Sequence, residues 1–215
     1  MPRKATLLDT EAAVRERYAR AARAREAQLC CPVRYDPKYL EAIPQEVLEK
    51  DYGCGDPTRY VRAGETVLDL GSGAGKICYI VAQIVGPKGR VIGVDCNTEM
   101  LAVARKYQPA VAAALGYDNV RFHRGRIQDL ALPLDDVDAY LQSNPVRSAD
   151  ALRRFEEFQH RLREAAPLIP NDSVDAIISN CVLNLVRETD REQLFREMFR
   201  VLKRGGRGAI SDVVS

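Results

Sequence analysis

Three alternate glycines, Gly71, Gly73 and Gly75, directly follow the apolar run Val67-Leu68-Asp69-Leu70, and this junction constrains the fold more than any other stretch of the chain. An apolar strand that breaks into glycines at this spacing is turning into a helix beside a ligand. Glycine lets the backbone turn tightly there and approach a bound group that any Cβ would strike. About 20 residues beyond Gly75, a second apolar run, Val91-Ile92-Gly93-Val94, ends in Asp95. An acidic side chain at that distance accepts hydrogen bonds from ribose hydroxyls. The two features together predict a bound nucleoside cofactor.

The rest of the chain fits this frame. Strands are expected at 66–70, 90–94, 119–123, 174–179 and 207–214, the last after a Gly205-Gly206 turn, with helices at 74–85, 98–115 and 189–203 between them. Helices of a dozen or more residues between short β-rich runs imply right-handed βαβ units. The predicted fold class is α/β, a Rossmann-like doubly wound parallel sheet. Residues 1–62 read as a helical N-terminal extension ahead of a 63–215 core. In that extension Asp9 or Thr10 caps a helix to Gln28, and a short helix runs from Pro44 to Lys50. Residues 131–172 read as a helical insert, since about 50 residues between the third and fourth strands exceed what one crossover needs. Its charged helix from Ser148 to Ala166 carries Leu152, Phe155, Phe158 and Leu162 at helical spacing, a stripe expected to pack on the core.

Composition narrows the function. A net charge of +2 gives no field that would draw nucleic acid or an anionic membrane surface. The arginines from Arg15 to Arg25 alternate with glutamates at helical spacing, which describes a solvated helix face. No run approaches 18 apolar residues and the N-terminus lacks a signal-peptide centre, so a cytoplasmic chain without membrane or nucleic-acid partners is expected. Six cysteines in a reducing compartment are read individually and not as a disulfide framework. Cys78 reads as a packing residue. His123 and His160 read as surface residues.

The glycine spacing separates cofactors. A dinucleotide site asks for G-x-G-x-x-G, and a P-loop asks for a Lys-Ser/Thr pair; neither is present. The G-x-G-x-G loop, with Asp69 upstream, resembles the first motif of class I S-adenosylmethionine-dependent methyltransferases. That resemblance implies S-adenosylmethionine as cofactor, contacted by Asp69, Gly71, Ser72, Gly73, Gly75 and Asp95. Cys96, Ile127, Gln128 and Asn180 complete the expected set, with Ile127 and Gln128 on the loop where the family places its adenine contacts.

Further segments resemble arsenite methyltransferases: Cys30-Cys31, Ile43-Pro44-Gln45-Glu46-Val47-Leu48, Tyr52-Gly53-Cys54-Gly55, Ser179-Asn180-Cys181-Val182-Leu183-Asn184-Leu185, and Arg200-Val201-Leu202-Lys203 through Ile210-Ser211-Asp212. The resemblance covers nearly the whole chain except 131–172. It implies Cys54 and Cys181 as arsenic(III) ligands, Cys30 or Cys31 as a redox partner, and thioredoxin or glutathione as the external reductant. Arsenic(III) is soft and prefers thiolates, as soft metals do. Methyltransferases of this class normally add two strands beyond the fifth, whereas this sequence stops at Ser215. Two other readings remain open: a carbon or oxygen methyltransferase of a quinone-like molecule, which would tolerate loss of the cysteines, and a non-catalytic thiol module that binds arsenite without the cofactor.

Overall fold

The computed structural model describes residues 33, 35–50 and 53–212. The helix expected up to Gln28 and the Cys30-Cys31 pair lie outside the described residues. Five strands, β1 (Thr66–Leu70), β2 (Arg90–Asp95), β3 (Val120–Arg124), β4 (Val174–Asn180) and β5 (Leu202–Ser211), form one parallel sheet in the order β3-β2-β1-β4-β5. Six α-helices lie among the described residues: α1 (Gln45–Glu49), α2 (Lys76–Val85), α3 (Thr98–Leu115), α4 (Leu134–Ser143), α5 (Ala149–Ala165) and α6 (Glu188–Val201).

Side chains alternate across a strand, so a sheet covered on both faces needs apolar residues at successive positions. In β1, Val67 joins a cluster with Ile80, Val81 and Leu101 of α2 and α3. Leu68 and Leu70 point the other way, into a cluster with Leu194, Met198 and Val201 of α6. These two cores make the sheet doubly wound, as the sequence predicts. Tyr35, Ile43 and Val47 from the N-terminal segment are buried in the first cluster. Gln83 of α2 donates to the Tyr39 carbonyl at 2.8 Å, while Lys106 and Tyr107 of α3 donate to Glu46 at 2.7 and 2.5 Å. The segment is thus strapped across α2 and α3.

Three features depart from expectation. The Gly205-Gly206 pair sits inside β5, where pairing with β4 jumps from Val174↔Leu202 to Ala176↔Arg207. Gly205 has φ +80° there, so the glycines absorb a bulge instead of making a turn before the strand. The insert holds two helices where one was expected. Asp135 and Asp136 complement the N-terminal dipole of α4, but only Val137 of that helix is buried, which leaves a weak periodic signal. The apolar stripe of α5 packs on α4 and not on the core: Tyr140 stacks on Phe158 at 4.1 Å between ring centroids and on Phe155 at 5.9 Å, and no residue of α5 is buried. No helix among the described residues is long and apolar enough to cross a membrane.

Candidate functional site

The strand order reverses direction between β1 and β4, and open parallel sheets bind ligands at that point, outside the carboxyl ends of the strands. Leu70 pairs with Ser179 there, so the glycine loop after β1 and the Asn180-Cys181 segment at the end of β4 emerge side by side. A cavity of about 670 Å³ opens over them.

Each loop glycine has a left-handed backbone: φ is +76° at Gly71, +51° at Gly73 and +90° at Gly75. A Cβ at Gly75 would stand 2.7 Å from the Phe122 ring and one at Gly71 would stand 2.6 Å from Val182, so both packing and conformation demand glycine. The carboxylate of Asp95 holds the loop in place, accepting from the Gly73 N–H at 2.8 Å with one oxygen and from the Asn97 N–H at 2.8 Å with the other. Burial pushes the Asp95 carboxyl above its usual range, opposed by hydrogen bonds from the Asn97, Gly73 and Cys96 backbone. Asp69, at the floor, is 2% exposed and accepts a hydrogen bond from the fully buried Cys78 thiol at 3.2 Å. Burial raises the Cys78 pKa, with the Asp69 charge adding to it, which keeps this thiol protonated. Its packing role agrees with the sequence reading; its hydrogen bond to Asp69 was not anticipated.

The cavity walls can be tested against the cofactor that the sequence implies. Asp69, Gly71, Ser72, Gly73, Asp95 and Cys96 all line the cavity. So do Ile127, Gln128 and Asn180, bringing these expected residues to one place. Gly75 lies one step behind, packed on Phe122 at the start of α2. Three wall residues bury polar atoms that have no hydrogen-bond partner among the described residues: Ser72 through Oγ, Asn97 through Nδ2 and Arg124 through Nε. Buried polar groups are normally satisfied. Orphans on a cavity wall, beside glycines that keep it clear of side chains, fit a polar ligand that completes them.

Cys54 and Cys181 meet next to this cavity although 127 positions separate them. They form a disulfide with Cα atoms 6.0 Å apart, and their neighbours Gly53, Asn180 and Val182 line the cavity. Asn180 organises the approach. Its Oδ1 accepts from the Cys54 and Gly55 N–H groups at 2.9 and 3.1 Å, and its Nδ2 donates to the Gly55 carbonyl at 2.8 Å. A Cβ on Gly53 would collide with the Asn180 amide and one on Gly55 with Ser211 Oγ, which explains why glycine flanks Cys54 on both sides. Cys181 has φ +58°, a conformation uncommon for a non-glycine residue, and its N–H donates to the Ser211 carbonyl at 2.7 Å. Sequence reading placed Asn180 with the cofactor; the structure adds its grip on the Cys54 turn, which no local pattern encodes.

Other residues stand apart. Cys96 is exposed on the cavity rim and takes no part in a disulfide. His160 is exposed, whereas His123, expected at the surface, is half-buried, and burial together with the Arg105 charge lowers its pKa. Among the described residues no group of three or more His, Cys, Asp or Glu side chains is placed to share a metal ion.

Comparison with known proteins adds a lineage to this geometry. A family model described as a methyltransferase domain matches residues 62–215. Arsenite methyltransferases from Aquipseudomonas alcaligenes and Halobacterium salinarum are 36% and 38% identical over 86% and 75% of this chain. The chain spans 44% and 31% of the length of these two relatives. The crystal structure of an arsenic(III) S-adenosylmethionine methyltransferase from Chlamydomonas reinhardtii superposes with a TM-score of 0.62 at 33% identity, covering 85% of this chain and 50% of the other. The chain belongs to the methyltransferase domain family, and over most of its length it is similar to proteins named arsenite methyltransferases.

Proposed function

We propose that this chain binds S-adenosylmethionine in the glycine-loop cavity and arsenic(III) on the thiolates of Cys54 and Cys181, and that it transfers the cofactor's methyl group to the arsenic. The observation that carries the reading is the convergence of these two cysteines, distant in sequence, at the rim of the cavity. Similarity to proteins named arsenite methyltransferases supports it.

Asp95 would hold the ribose and Asp69 would lie under the amino acid end of the cofactor. When bound, S-adenosylmethionine supplies an electrophilic methyl on a positively charged sulfur. Pyramidal arsenic(III) keeps a lone pair after binding thiolates, so no general base is required. The lone pair forms the As–C bond as the S–CH3 bond breaks, and that bonding pair leaves with sulfur. The protein's contribution is positioning and exclusion of water. Arsenic rises from the trivalent to the pentavalent state in this step. Two electrons return it to the trivalent state, and two thiols that close into a disulfide supply them. The observed Cys54–Cys181 pairing is such an oxidised state, which the dithiol of thioredoxin or two molecules of glutathione would reopen, becoming a disulfide in turn. Cys30 or Cys31 would serve as a further redox partner, with residues up to 62 acting as a thiol-bearing arm on the methyltransferase core. This chemistry belongs in a reducing compartment such as the cytoplasm.

Arsenite binding to the reduced chain tests the proposal. The native sequence should bind arsenic, and Cys181→Ser or Cys54→Ser should lose it while keeping cofactor affinity. Retention of arsenic by both variants would overturn the ligand assignment.

A further inference from the structure

The insert between β3 and β4 has no counterpart in the motifs that carry the family resemblance, yet its helices border the cavity. Phe155, Gln159 and Arg163 of α5 line it, together with Leu134, Val137 and Asp138 of α4. We propose that this insert is part of the cofactor site, with Arg163 as a positioning residue that clamps α5 against the nucleobase loop and makes α5 the wall facing the purine. The inference rests on the cofactor reading above.

Three observations lead to it. The insert is pinned at its root, where Leu168 and Ile169 N–H groups donate to the Ala131 and Leu130 carbonyls at 3.1 and 2.9 Å. Leu168 also packs over Gly125, where a Cβ would stand 2.5 Å from its side chain, so the returning chain lies directly on the loop after β3. At the far side, the Arg163 guanidinium forks onto the Asp129 carboxylate, at 2.9 Å from one nitrogen and 3.3 Å from another. Asp129 ends the loop that holds Ile127 and Gln128, so α5 is tied to the loop expected to meet the base. Finally, no residue of α5 is buried and its apolar stripe is spent on α4 through Tyr140. The core thus holds α5 weakly, which leaves the Asp129 fork as a principal tie.

Geometry indicates which end of the cofactor meets this wall. Asp95 at the end of β2 marks the ribose, the glycine loop after β1 marks the amino acid portion, and β3 lies on the opposite side of β2 from β1. A base attached to that ribose extends toward the β3 loop and therefore toward α5.

The test is equilibrium binding of two ligands to the reduced, full chain: S-adenosylmethionine, and 5′-methylthioadenosine, which keeps the purine and ribose but lacks the amino acid. Arg163→Ala should weaken both by about fivefold to tenfold, the scale of a lost charge-assisted fork. Arg153→Ala, on the exposed face of the same helix, should change neither. The reversed pair Asp129→Arg with Arg163→Asp should recover much of the affinity, which a loss of fold would not allow. Phe155→Ala, which also removes a stacking contact with Tyr140, should weaken the same two ligands. Unchanged affinity in both Arg163→Ala and Phe155→Ala would overturn the inference, as would a loss confined to S-adenosylmethionine, because that would place the effect at the amino acid end. If the native chain bound neither ligand, the cofactor reading itself would fall and this inference with it.

Discussion

At the scale of single residues, the site depends on side chains that hold backbone in place. Asn180 makes three short hydrogen bonds to the turn around Cys54, and removing its amide strands two N–H donors. Unsatisfied partly buried groups cost about 1–3 kcal/mol each. Asn180→Ala should therefore separate the two thiols, weakening arsenite binding about tenfold and lowering the fraction of Cys54–Cys181 disulfide at a fixed glutathione ratio. Asp95 predicts a pH dependence. Its folded pKa is raised by burial, so its contribution to the stability of the cofactor-free chain is full below the usual carboxylate range and is lost as pH rises through the raised value. On the proposed cofactor reading, the ionised carboxylate is the form that would accept from ribose. Acidification should thus weaken cofactor binding at a higher pH than an exposed aspartate would, while the Asp95 contribution to the stability of the empty protein grows. Titrating the dissociation constant against pH for the native chain checks the sign. The distance of Asp95 from the glycines announced a ribose contact, but its hydrogen bond from Gly73 exists only once β1 and β2 pair, and the grip of Asn180 on the Cys54 turn was likewise not legible in the sequence.

At the scale of elements, the chain is most readable where apolar runs end in glycine. β1, β2, α2 and α3 fall within a residue or two of their expected bounds because burial on both faces leaves continuous hydrophobic stretches. Gly205-Gly206 misled for a physical reason, since a glycine pair marks a turn or a bulge equally and only strand pairing decides. The glycine loop itself gives a stability prediction. Gly75→Ala places a Cβ 2.7 Å from the Phe122 ring at φ +90°, a left-handed position that costs about 1–2 kcal/mol before any clash. Urea unfolding should show at least that loss, with cofactor binding reduced further. The α1–α3 contact gives another prediction. Hydrogen bonds from Lys106, Lys50 and Tyr107 bring Glu46 down to about 2. Because its folded pKa is depressed, the stabilisation is present above the ordinary glutamate value and is lost as pH falls through about 2. The urea midpoints of the native chain and Glu46→Gln should differ most at neutral pH and converge in strong acid.

At the scale of the whole molecule, one sheet reversal organises the function. The order β3-β2-β1-β4-β5 sets the glycine loop beside the strand that ends in Asn180 and Cys181, and the N-terminal strap across α2 and α3 delivers Cys54 to the same rim. The G-x-G-x-G loop pointed in advance to a ligand site, and the cavity opens over that loop. That Cys54 and Cys181 share a site was accessible only through family resemblance, because no local periodicity links positions so far apart; the disulfide between them was not expected, since the resemblance implied one between a binding cysteine and Cys30 or Cys31. The insert's place on the cavity wall was not readable from its charged helix at all. The measurement that bears most directly on this account is native mass spectrometry of the reduced chain with S-adenosylmethionine and arsenite, added separately and together, beside Cys181→Ser. The account predicts that both ligands bind the native chain and that the variant keeps the cofactor and loses arsenic. Cofactor without arsenic on the native chain would contradict it in favour of a carbon or oxygen methyltransferase, and arsenic without cofactor would contradict it in favour of a thiol-based binding module.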